Sequence, residues 1–272
     1  MRRALRAGVP ESLWSAARAA SGRLLALDFD GTLAPFEVDP ARARPAPAAR
    51  RALARIVGSG RTTVAVFSGR PSVDVAALLD RLPVPIVGEH GWEVRFPDGA
   101  RLRHPFAADL VDRLDSAAAA AAELAPARVE RKRTAVVVHV RGLPLPAARR
   151  ARAAARRLFT AYAADPRLAA RPVAGGFELR VTGRDKGLAL AELAAALGPG
   201  PFVVAVGDDD TDEDAFRSAQ RLGGWGIRVG RPRPTVARAR LASPAGVARF
   251  LEEWWTRIDG GGARRGAEAS RR

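Results

Sequence analysis

The chain has 272 residues, 47% of them hydrophobic, and a formal net charge of +16. This length allows one large domain or two smaller ones, no apolar stretch is long enough to span a bilayer, and the basic N-terminus lacks the apolar region of a secretory signal. With no cysteine, the sequence contains neither disulfides nor thiolate metal sites, which is typical of cytosolic proteins.

The positive charge is spread along the chain and is not gathered in the single basic patch that predicts nucleic-acid binding. Asn is absent, Gln220 is the only glutamine, and two of the 45 basic residues are lysines, Lys132 and Lys186. A compositional bias toward arginine explains most of the charge, and part of it lies in residues 260–272, where we expect a disordered tail. In a chain that uses arginine almost everywhere, each lysine either remains by chance or marks a position that needs a compact ammonium group.

The first part of the chain alternates short apolar runs with amphipathic segments. The pattern predicts, in chain order, a helix over 11–20, a strand over 24–28, an irregular Pro-rich segment over 35–47, a helix over 47–57, a strand over 62–67, a helix over 71–82 and a strand over 85–87. Since strands and helices alternate, this part predicts a parallel sheet.

The middle of the chain has a different pattern, and the alternation returns after it. We predict a β-hairpin over 92–103, a helix over 108–124, a strand over 135–140, a helix over 147–163 and a strand over 177–181. After these come a helix over 188–197, a strand over 202–206, a helix over 212–220, a strand over 226–229 and a helix over 244–255. The sequence therefore predicts a doubly wound α/β core (1–97 and 184–272) with an inserted α+β domain (98–183).

Polar residues follow the ends of four predicted strands. They are Asp28 with Asp30, Ser68-Gly69-Arg70, Glu89-His90, and Asp208 with Asp212. Because the carboxyl ends of parallel strands lie at one edge of a sheet, these groups can converge there.

The pair Asp28 and Asp30 is two residues apart, which puts both carboxylates on one face of the strand. Such a pair needs a cation, a shared proton or solvent, and the simplest alternative is a solvated acidic turn. Carboxylates from two strand ends suit Mg²⁺. A metal ion, a hydroxyl and Lys186, at a helix start, could together neutralise a phosphate so that an aspartate can attack it.

These motifs, in this order, resemble those of the haloacid dehalogenase superfamily of phosphatases, and the insert resembles the type-two cap of that superfamily. Finer motifs resemble the trehalose-6-phosphate phosphatase family: Phe67-Ser68-Gly69-Arg70, Glu89-His90-Gly91, Glu130-Arg131-Lys132 leading to His139-Val140-Arg141, Phe177-Glu178-Leu179-Arg180, and Gly207 through Phe216. The resemblance spans residues 24–250.

The resemblance implies Mg²⁺-dependent hydrolysis of a sugar phosphate, trehalose 6-phosphate to trehalose. It implies that Asp28 attacks phosphorus and becomes an aspartyl phosphate, and that Asp30 protonates the leaving sugar and then activates water. Ser68 and Lys186 would hold the phosphoryl oxygens. The implied metal ligands are Asp28, the Asp30 carbonyl and Asp208, with Asp209 or Asp212 in support. The implied substrate-binding residues are Gly31, Thr32, Gly69, Arg70, Glu89, His90, Lys132, Arg141, Glu178 and Arg180.

Two positions depart from the family pattern. Ala174-Gly175-Gly176 stand where the family often has a basic residue before the glutamate, so that one contact to the sugar would be absent or would pass to Arg171 or Arg184. Glu178 is also followed by Val181-Thr182-Gly183, where a proline is common in the family.

Several of these residues also have a simpler structural interpretation. His90 could be a turn histidine, His139 a structural one and Lys132 part of a solvated charge run, and Arg70 could only cap its turn.

Three alternative functions stay open at this point. They are a related phosphatase acting on sucrose phosphate or mannosyl-glycerate phosphate, a phosphosugar mutase, and a basic nucleic-acid-binding protein. We expect a cytoplasmic monomer whose partner is a small sugar phosphate, with neither nucleic acid nor membrane.

Overall fold

The computed structural model describes residues 7–124 and 127–260. The strands are, in chain order, β1 (Arg23–Asp28), β2 (Thr63–Phe67), β3 (Ile86–Gly88), β4 (Glu93–Arg95), β5 (Arg101–Arg103), β6 (Arg128–Lys132), β7 (Ala135–His139), β8 (Leu168–Val173), β9 (Gly176–Val181), β10 (Phe202–Gly207), β11 (Trp225–Val229) and β12 (Ala239–Leu241). The α-helices are α1 (Glu11–Ala19), α2 (Pro47–Ser59), α3 (Ser72–Leu78), α4 (Asp109–Ala122), α5 (Leu145–Tyr162), α6 (Lys186–Ala196), α7 (Asp212–Arg221) and α8 (Pro244–Trp254).

The strands form two sheets. The larger has the order β12-β11-β10-β1-β2-β3-β4-β5, parallel from β12 to β3 and antiparallel beyond it. The smaller has the order β6-β7-β9-β8 and is antiparallel. None of the described helices is both long and apolar enough to cross a membrane.

Both faces of the larger sheet are apolar, as the continuous hydrophobic run of β1 predicts. Leu25 and Leu27 pack into one core that includes residues of α1, α2, α3 and α8. Leu24 and Ala26 point to the opposite face and pack with residues of α6 and α7. Helices thus cover both faces, and the predicted doubly wound α/β fold is confirmed.

The smaller sheet, which we call the cap sheet, is apolar on one face only. Val136 and Val138 of β7 lie in a core with Leu114 of α4 and Phe159 of α5. Because side chains alternate along a strand, the positions on the other face of this sheet, such as His139, do not face the apolar core and can hold polar side chains. That second face is turned toward the carboxyl edge of the larger sheet, where both line one cleft.

Some elements differ from the sequence-based expectation. The helix predicted to reach residue 82 ends at Leu78, because Asp80 and Arg81 adopt positive φ angles of 51° and 56° that no helix continues through. The strands β6, β8 and β12 were not predicted.

The hairpin over 92–103 was predicted to begin the inserted domain, yet β4 pairs with β3 and so extends the larger sheet. The domain boundaries at 97/98 and 183/184 stay predictions. Of the predicted tail over 260–272, all but Gly260 lies outside the described residues.

Candidate active site

Asp28 and Lys186 meet at the carboxyl edge of the larger sheet. Asp28 is the last residue of β1, and Lys186 is the first residue of α6. The Lys186 ammonium donates to Asp28 Oδ1 and to Asp212 Oδ1, each at 2.6 Å. All three side chains are buried, so these interactions act in a medium that screens charge poorly.

Three carboxylates, buried at Asp28 and Asp212 and half-buried at Asp208, share this position with one ammonium group. Oxygen atoms of Asp28, Asp208 and Asp212 lie within 4.8 Å of one another. Burial, together with the charge of Asp212, raises the pKa of Asp28 well above its ordinary value, despite the opposing charge of Lys186. Burial lowers the pKa of Lys186, but the two carboxylates outweigh burial and raise it. The cluster therefore has more negative charge than Lys186 neutralises.

The donors of this cluster fit a magnesium ion. All are carboxylate oxygens, which hard divalent cations prefer, and the buried Asp28 Oδ2 has no hydrogen-bond partner in the described structure. Gly31 has φ +82°, and a Cβ atom there would collide with the carboxylate of Asp208. Glycine at this position therefore keeps space for the cluster. Asp209 is outside it, and its N–H donates to Asp212 Oδ2 at 2.9 Å.

Asp30 has a different environment from Asp28. Two nitrogens of the Arg70 guanidinium donate to the Asp30 carboxylate: Nε to Oδ2 at 2.7 Å and Nη2 to Oδ1 at 2.5 Å. Arg70 itself is fixed by the Pro40 carbonyl at 2.7 Å, and its N–H donates to Ser68 Oγ at 3.0 Å. The two aspartates of the motif thus have different neighbours: Asp28 lies among carboxylates, and Asp30 lies beside the guanidinium of Arg70.

The polar face of the cap sheet supplies the opposite wall. Lys132 Nζ donates to the Gly69 carbonyl of the core at 2.9 Å. Arg141 Nη1 donates to the Glu37 carbonyl at 2.9 Å. Glu130 accepts a hydrogen bond from His139 at 2.6 Å, and this bond with the nearby cations lowers the pKa of Glu130 to about 2 although burial opposes the shift.

Glu178 of the cap faces His90 of the core. The two are buried, with His90 Nε2 3.6 Å from Glu178 Oε1. Burial lowers the pKa of His90 to about 4, so the ring is neutral at neutral pH. Burial alone would raise the pKa of Glu178, but the neighbouring ring, Lys132 and Arg180 hold it well below its ordinary value. With His90 neutral, the two cations supply the positive charge that keeps Glu178 ionised.

The two walls enclose a cavity of about 790 Å³. Most of the residues chosen from the sequence line it: Asp28, Asp30, Ser68, Gly69, Arg70, His90, Lys132, Arg141, Glu178, Lys186 and Asp209. The others lie behind the wall or away from it: Gly31, Thr32, Glu89, Arg180, Asp208 and Asp212.

Thr32 and Glu89 illustrate what the residues behind the wall do. The Thr32 hydroxyl lies 3.4 Å from Asp208 Oδ1 and supports the carboxylate cluster. Glu89 accepts a hydrogen bond from the Thr134 hydroxyl at 2.8 Å, which joins the core to the cap. Neither side chain is placed to contact a ligand in the cavity.

The structure places at the site two residues that were not predicted as site residues from the sequence. Glu130 and His139 line the cavity, and the alternation along β6 and β7 could have identified them, since Glu130 shares a strand face with Lys132. Arg141 lies against Gly175, where an added Cβ would be 3.0 Å from Arg141 Nε. Arg171 and Arg184, the predicted replacements for a missing basic residue, do not line the cavity.

Two arginines hold the backbone of Asp208 from outside the cavity. Arg228 and Arg233 both donate to the Asp208 carbonyl, Arg233 at 3.0 Å. Arg228 is 2% exposed. No feature of the sequence marks either arginine for this role.

The arrangement provides the parts of a phosphoryl-transfer site. A buried carboxylate with a free oxygen can act as a nucleophile, a second carboxylate lies two residues further along the chain, and an ammonium and a cation site can neutralise an anion. The polar groups across the cleft can bind hydroxyl groups.

Comparisons with known proteins agree with this reading. Residues 26–244 match the sequence model of a family described as trehalose-phosphatase. The chain is 38% identical over 243 residues to an uncharacterized glycosyl hydrolase of Mycobacterium tuberculosis, covering 84% of this chain and 18% of that protein. It is 34% identical over 260 residues to the trehalose-phosphate phosphatase of Mycolicibacterium paratuberculosis, covering 86% of this chain and 62% of that protein. It thus spans less than two thirds of either relative.

A solved structure has the same architecture. The C-terminal domain of the Candida albicans trehalose-6-phosphate phosphatase superimposes with a TM-score of 0.80 at 22% sequence identity, covering 91% of this chain and 96% of that one. At this identity the likeness shows the fold alone.

Proposed function

Because this chain belongs to the trehalose-phosphatase family, we propose that it hydrolyses trehalose 6-phosphate to trehalose and phosphate through an aspartyl phosphate, with Mg²⁺ as cofactor. The observation that carries the proposal is the cluster of Asp28, Asp212 and Lys186, all buried, with the half-buried Asp208. It faces the polar side of the cap sheet across a cavity that also holds Asp30. The family match and the phosphatase relative support the choice of sugar.

In the first half of the reaction, a carboxylate oxygen of Asp28 attacks phosphorus. The new bond is an acyl phosphate on Asp28, the bond between phosphorus and the sugar oxygen breaks, and Asp30 gives its proton to that oxygen. In the second half, Asp30 takes a proton from water, the water attacks phosphorus, and phosphate leaves as the Asp28 carboxylate is restored. Two nitrogens of Arg70 donate to the two carboxylate oxygens of Asp30, so proton transfer from Asp30 requires this pair to separate when substrate binds.

Other residues lower the charge repulsion that the attack must overcome. Lys186 and the Ser68 hydroxyl bind the phosphoryl oxygens, together with the backbone N–H group of Thr32. The N–H of Gly31 instead donates to the Ala34 carbonyl at 2.8 Å. Asp28, Asp208 and Asp212 would hold the metal ion, with the Asp30 carbonyl and Asp209 in support. When bound, Mg²⁺ supplies positive charge that allows a carboxylate to approach a phosphate dianion.

The cap residues would bind the sugar. Lys132, Glu178 and Arg141 line the cavity opposite the nucleophile and offer donors and acceptors to sugar hydroxyls. Lys132 and Arg141 contact backbone carbonyls of the core, at Gly69 and Glu37, in this closed arrangement. A sugar hydroxyl could replace such a carbonyl as hydrogen-bond partner. His90 fits a supporting role, since its neutral ring adjoins Glu178.

Release of inorganic phosphate from a panel of substrates tests this function. We expect Mg²⁺-dependent release from trehalose 6-phosphate, and slower release from sucrose phosphate, mannosyl-glycerate phosphate and glucose 6-phosphate. Faster release from another substrate of the panel would change the assigned sugar but leave the assigned phosphatase activity in place. Isomerisation of a sugar phosphate without phosphate release would instead indicate a mutase, and salt-sensitive nucleic-acid binding without turnover a binding protein.

We also propose a cytoplasmic monomer with domain boundaries near 97/98 and 183/184. The absence of cysteine supports the compartment. Light scattering after size exclusion tests the monomer, cell fractionation tests the compartment, and limited proteolysis tests the boundaries.

A further inference from the structure

A row of arginines covers the outer side of helix α5 on the cap. Arg149, Arg150, Arg152, Arg156 and Arg157 are all exposed, and within residues 7–124 and 127–260 none of their guanidinium groups has an ion pair or hydrogen bond. The helix contains no acidic residue. Some exposed arginines elsewhere do have acidic partners, as Arg18 has Glu11 at 2.6 Å. The charge of α5 is therefore concentrated and left uncompensated.

Three of these arginines line a groove of about 730 Å³, which we call the α5 groove. Arg149, Arg152 and Arg156 form its basic side, and the exposed residues Leu145, Ala153 and Pro172 contribute apolar surface. Leu145, at one end, is 64% exposed. The groove is behind the cap sheet as seen from the cleft, since Phe177 faces α5 while the next residue, Glu178, faces the cavity.

The dimensions of the groove indicate the size of its ligand. It runs along α5 from Leu145 to Thr160, which at the helical rise is about 22 Å. That length corresponds to about four turns of a second helix and exceeds what a small metabolite needs. Arginines three and four positions apart on one helix repel each other, so an acidic ligand would also relieve repulsion within α5.

The chemistry of the groove limits the class of ligand. Apolar surface beside a basic row suits an amphipathic segment with acidic and aliphatic sides, whereas nucleic acid needs phosphate contacts and exposed stacking rings. Pro172 has no N–H, which makes the β8 edge unsuitable for adding a strand there.

Segments of this chain do not fit the groove. The chain outside the described ranges is itself basic, with three arginines in residues 1–6 and four arginines and one glutamate in residues 261–272. On the acidic helix α4, Asp109 and Asp115 already pair with Arg167 and Arg131, so of the three acidic residues on that helix a second copy would offer Asp112 alone.

We propose that the α5 groove binds an acidic amphipathic helix of another protein. The partner helix places aliphatic side chains on the surface of Leu145, Ala153 and Pro172 and carboxylates on Arg149, Arg152 and Arg156. This docking does not depend on the proposed phosphatase activity, because no residue of the groove belongs to the catalytic cleft.

The probe is a labelled peptide of about 18 residues, built from leucine and glutamate in a helical repeat, with binding followed by fluorescence anisotropy. The test variant is Arg149→Glu with Arg156→Glu. The matched control is Arg150→Glu with Arg157→Glu, which has the same spacing, the same helix and the same charge change but lies outside the groove. We expect the test variant to weaken binding by at least about tenfold and the control by less than about threefold.

Three outcomes would overturn the proposal. The first is no binding of the peptide to the wild-type protein, and the second is equal weakening by both double variants, which would indicate attraction by net charge only. The third is tighter binding of a DNA duplex or of anionic vesicles than of the peptide. A peptide of equal charge with serine in place of leucine should bind more weakly, and equal binding would likewise exclude use of the apolar surface. Thermal unfolding of each variant confirms that it is folded.

Discussion

The two walls of the cleft hold their charged groups in different ways. In the core, short carboxylates at strand ends meet one buried ammonium, with Lys186 within 2.6 Å of Asp28 and of Asp212. In the cap, long side chains cross the cleft to backbone carbonyls, as Lys132 does to Gly69 and Arg141 to Glu37. The core contacts join ionised groups to each other, whereas the cap contacts join ionised groups to neutral ones.

This difference indicates how the two walls divide the reaction. Removing one partner from a buried ionic group leaves an uncompensated charge, so the core tolerates little change. A cap cation can exchange a carbonyl for a sugar hydroxyl at small cost, because the two hydrogen bonds are alike. We therefore expect core substitutions to affect the chemical step and cap substitutions to affect substrate binding.

The largest effect should come from Asp28, the proposed nucleophile. Asp28→Asn removes the attacking oxygen and should lower kcat by at least about 10³-fold, as loss of a nucleophile commonly does. Rapid-quench detection of a phosphorylated protein should also lose its signal. Asp98→Asn in the exposed hairpin turn is the control and should keep normal turnover. Normal turnover of the Asp28 variant would show that another group attacks phosphorus.

Substitution of a proposed metal ligand should have the next largest effect. Asp208→Asn takes one carboxylate from the cluster and should weaken Mg²⁺ binding by about 100-fold, measured by titration calorimetry as well as by activity. The neighbouring Asp210 is exposed and outside the cluster, so Asp210→Asn should bind Mg²⁺ normally. Equal affinities in the two variants would contradict the assigned ligand set.

The contrast between the walls also explains what could be predicted from the sequence. The core residues lie at strand ends or at a helix start: Asp28 and Asp30, Lys186, and the loop of Asp208. Because the carboxyl ends of parallel strands lie at one edge of a sheet, the sequence predicts that these residues converge. The pairing of Asp30 with Arg70 could not be predicted, because it depends on the path of the loop between them. The strand β6 was missed since its sequence, Arg128–Lys132, has four charged residues in five, and β8 because it contains Pro172.

A cap substitution should change KM more than kcat. Lys132→Met removes a charged donor from the cavity and should raise KM for the sugar phosphate by about 10- to 100-fold, the range for a lost charge-assisted hydrogen bond. Arg131 is adjacent on β6, where it pairs with Asp115 at 2.7 Å and does not line the cavity. Arg131→Met should leave KM unchanged. A loss confined to kcat in the Lys132 variant would place this lysine with the core machinery and remove the distinction between the walls.

The smallest effect concerns stability where the two walls touch, at His90 and Glu178. The pKa of His90 is lowered to about 4 by burial, against an ordinary value of about 6.5. As the pH falls below about 6.5, the unfolded chain binds a proton at this histidine and the folded chain does not, so folding stability decreases down to about pH 4. The shift corresponds to at most about 3 kcal/mol.

The variant His90→Asn isolates this effect, because His90 has φ 57° and asparagine tolerates that conformation. Urea unfolding at about pH 7 and about pH 4.5 should show a loss of about 2 kcal/mol more in the wild-type protein than in the variant. Glu178 adds little in this range, since its carboxyl group titrates in the unfolded chain only near its ordinary pKa of about 4.3. Equal losses in both proteins would mean that His90 is protonated in the folded state and forms an ion pair with Glu178. The junction of the walls would then be ionic like the core, and not a neutral ring beside a carboxylate.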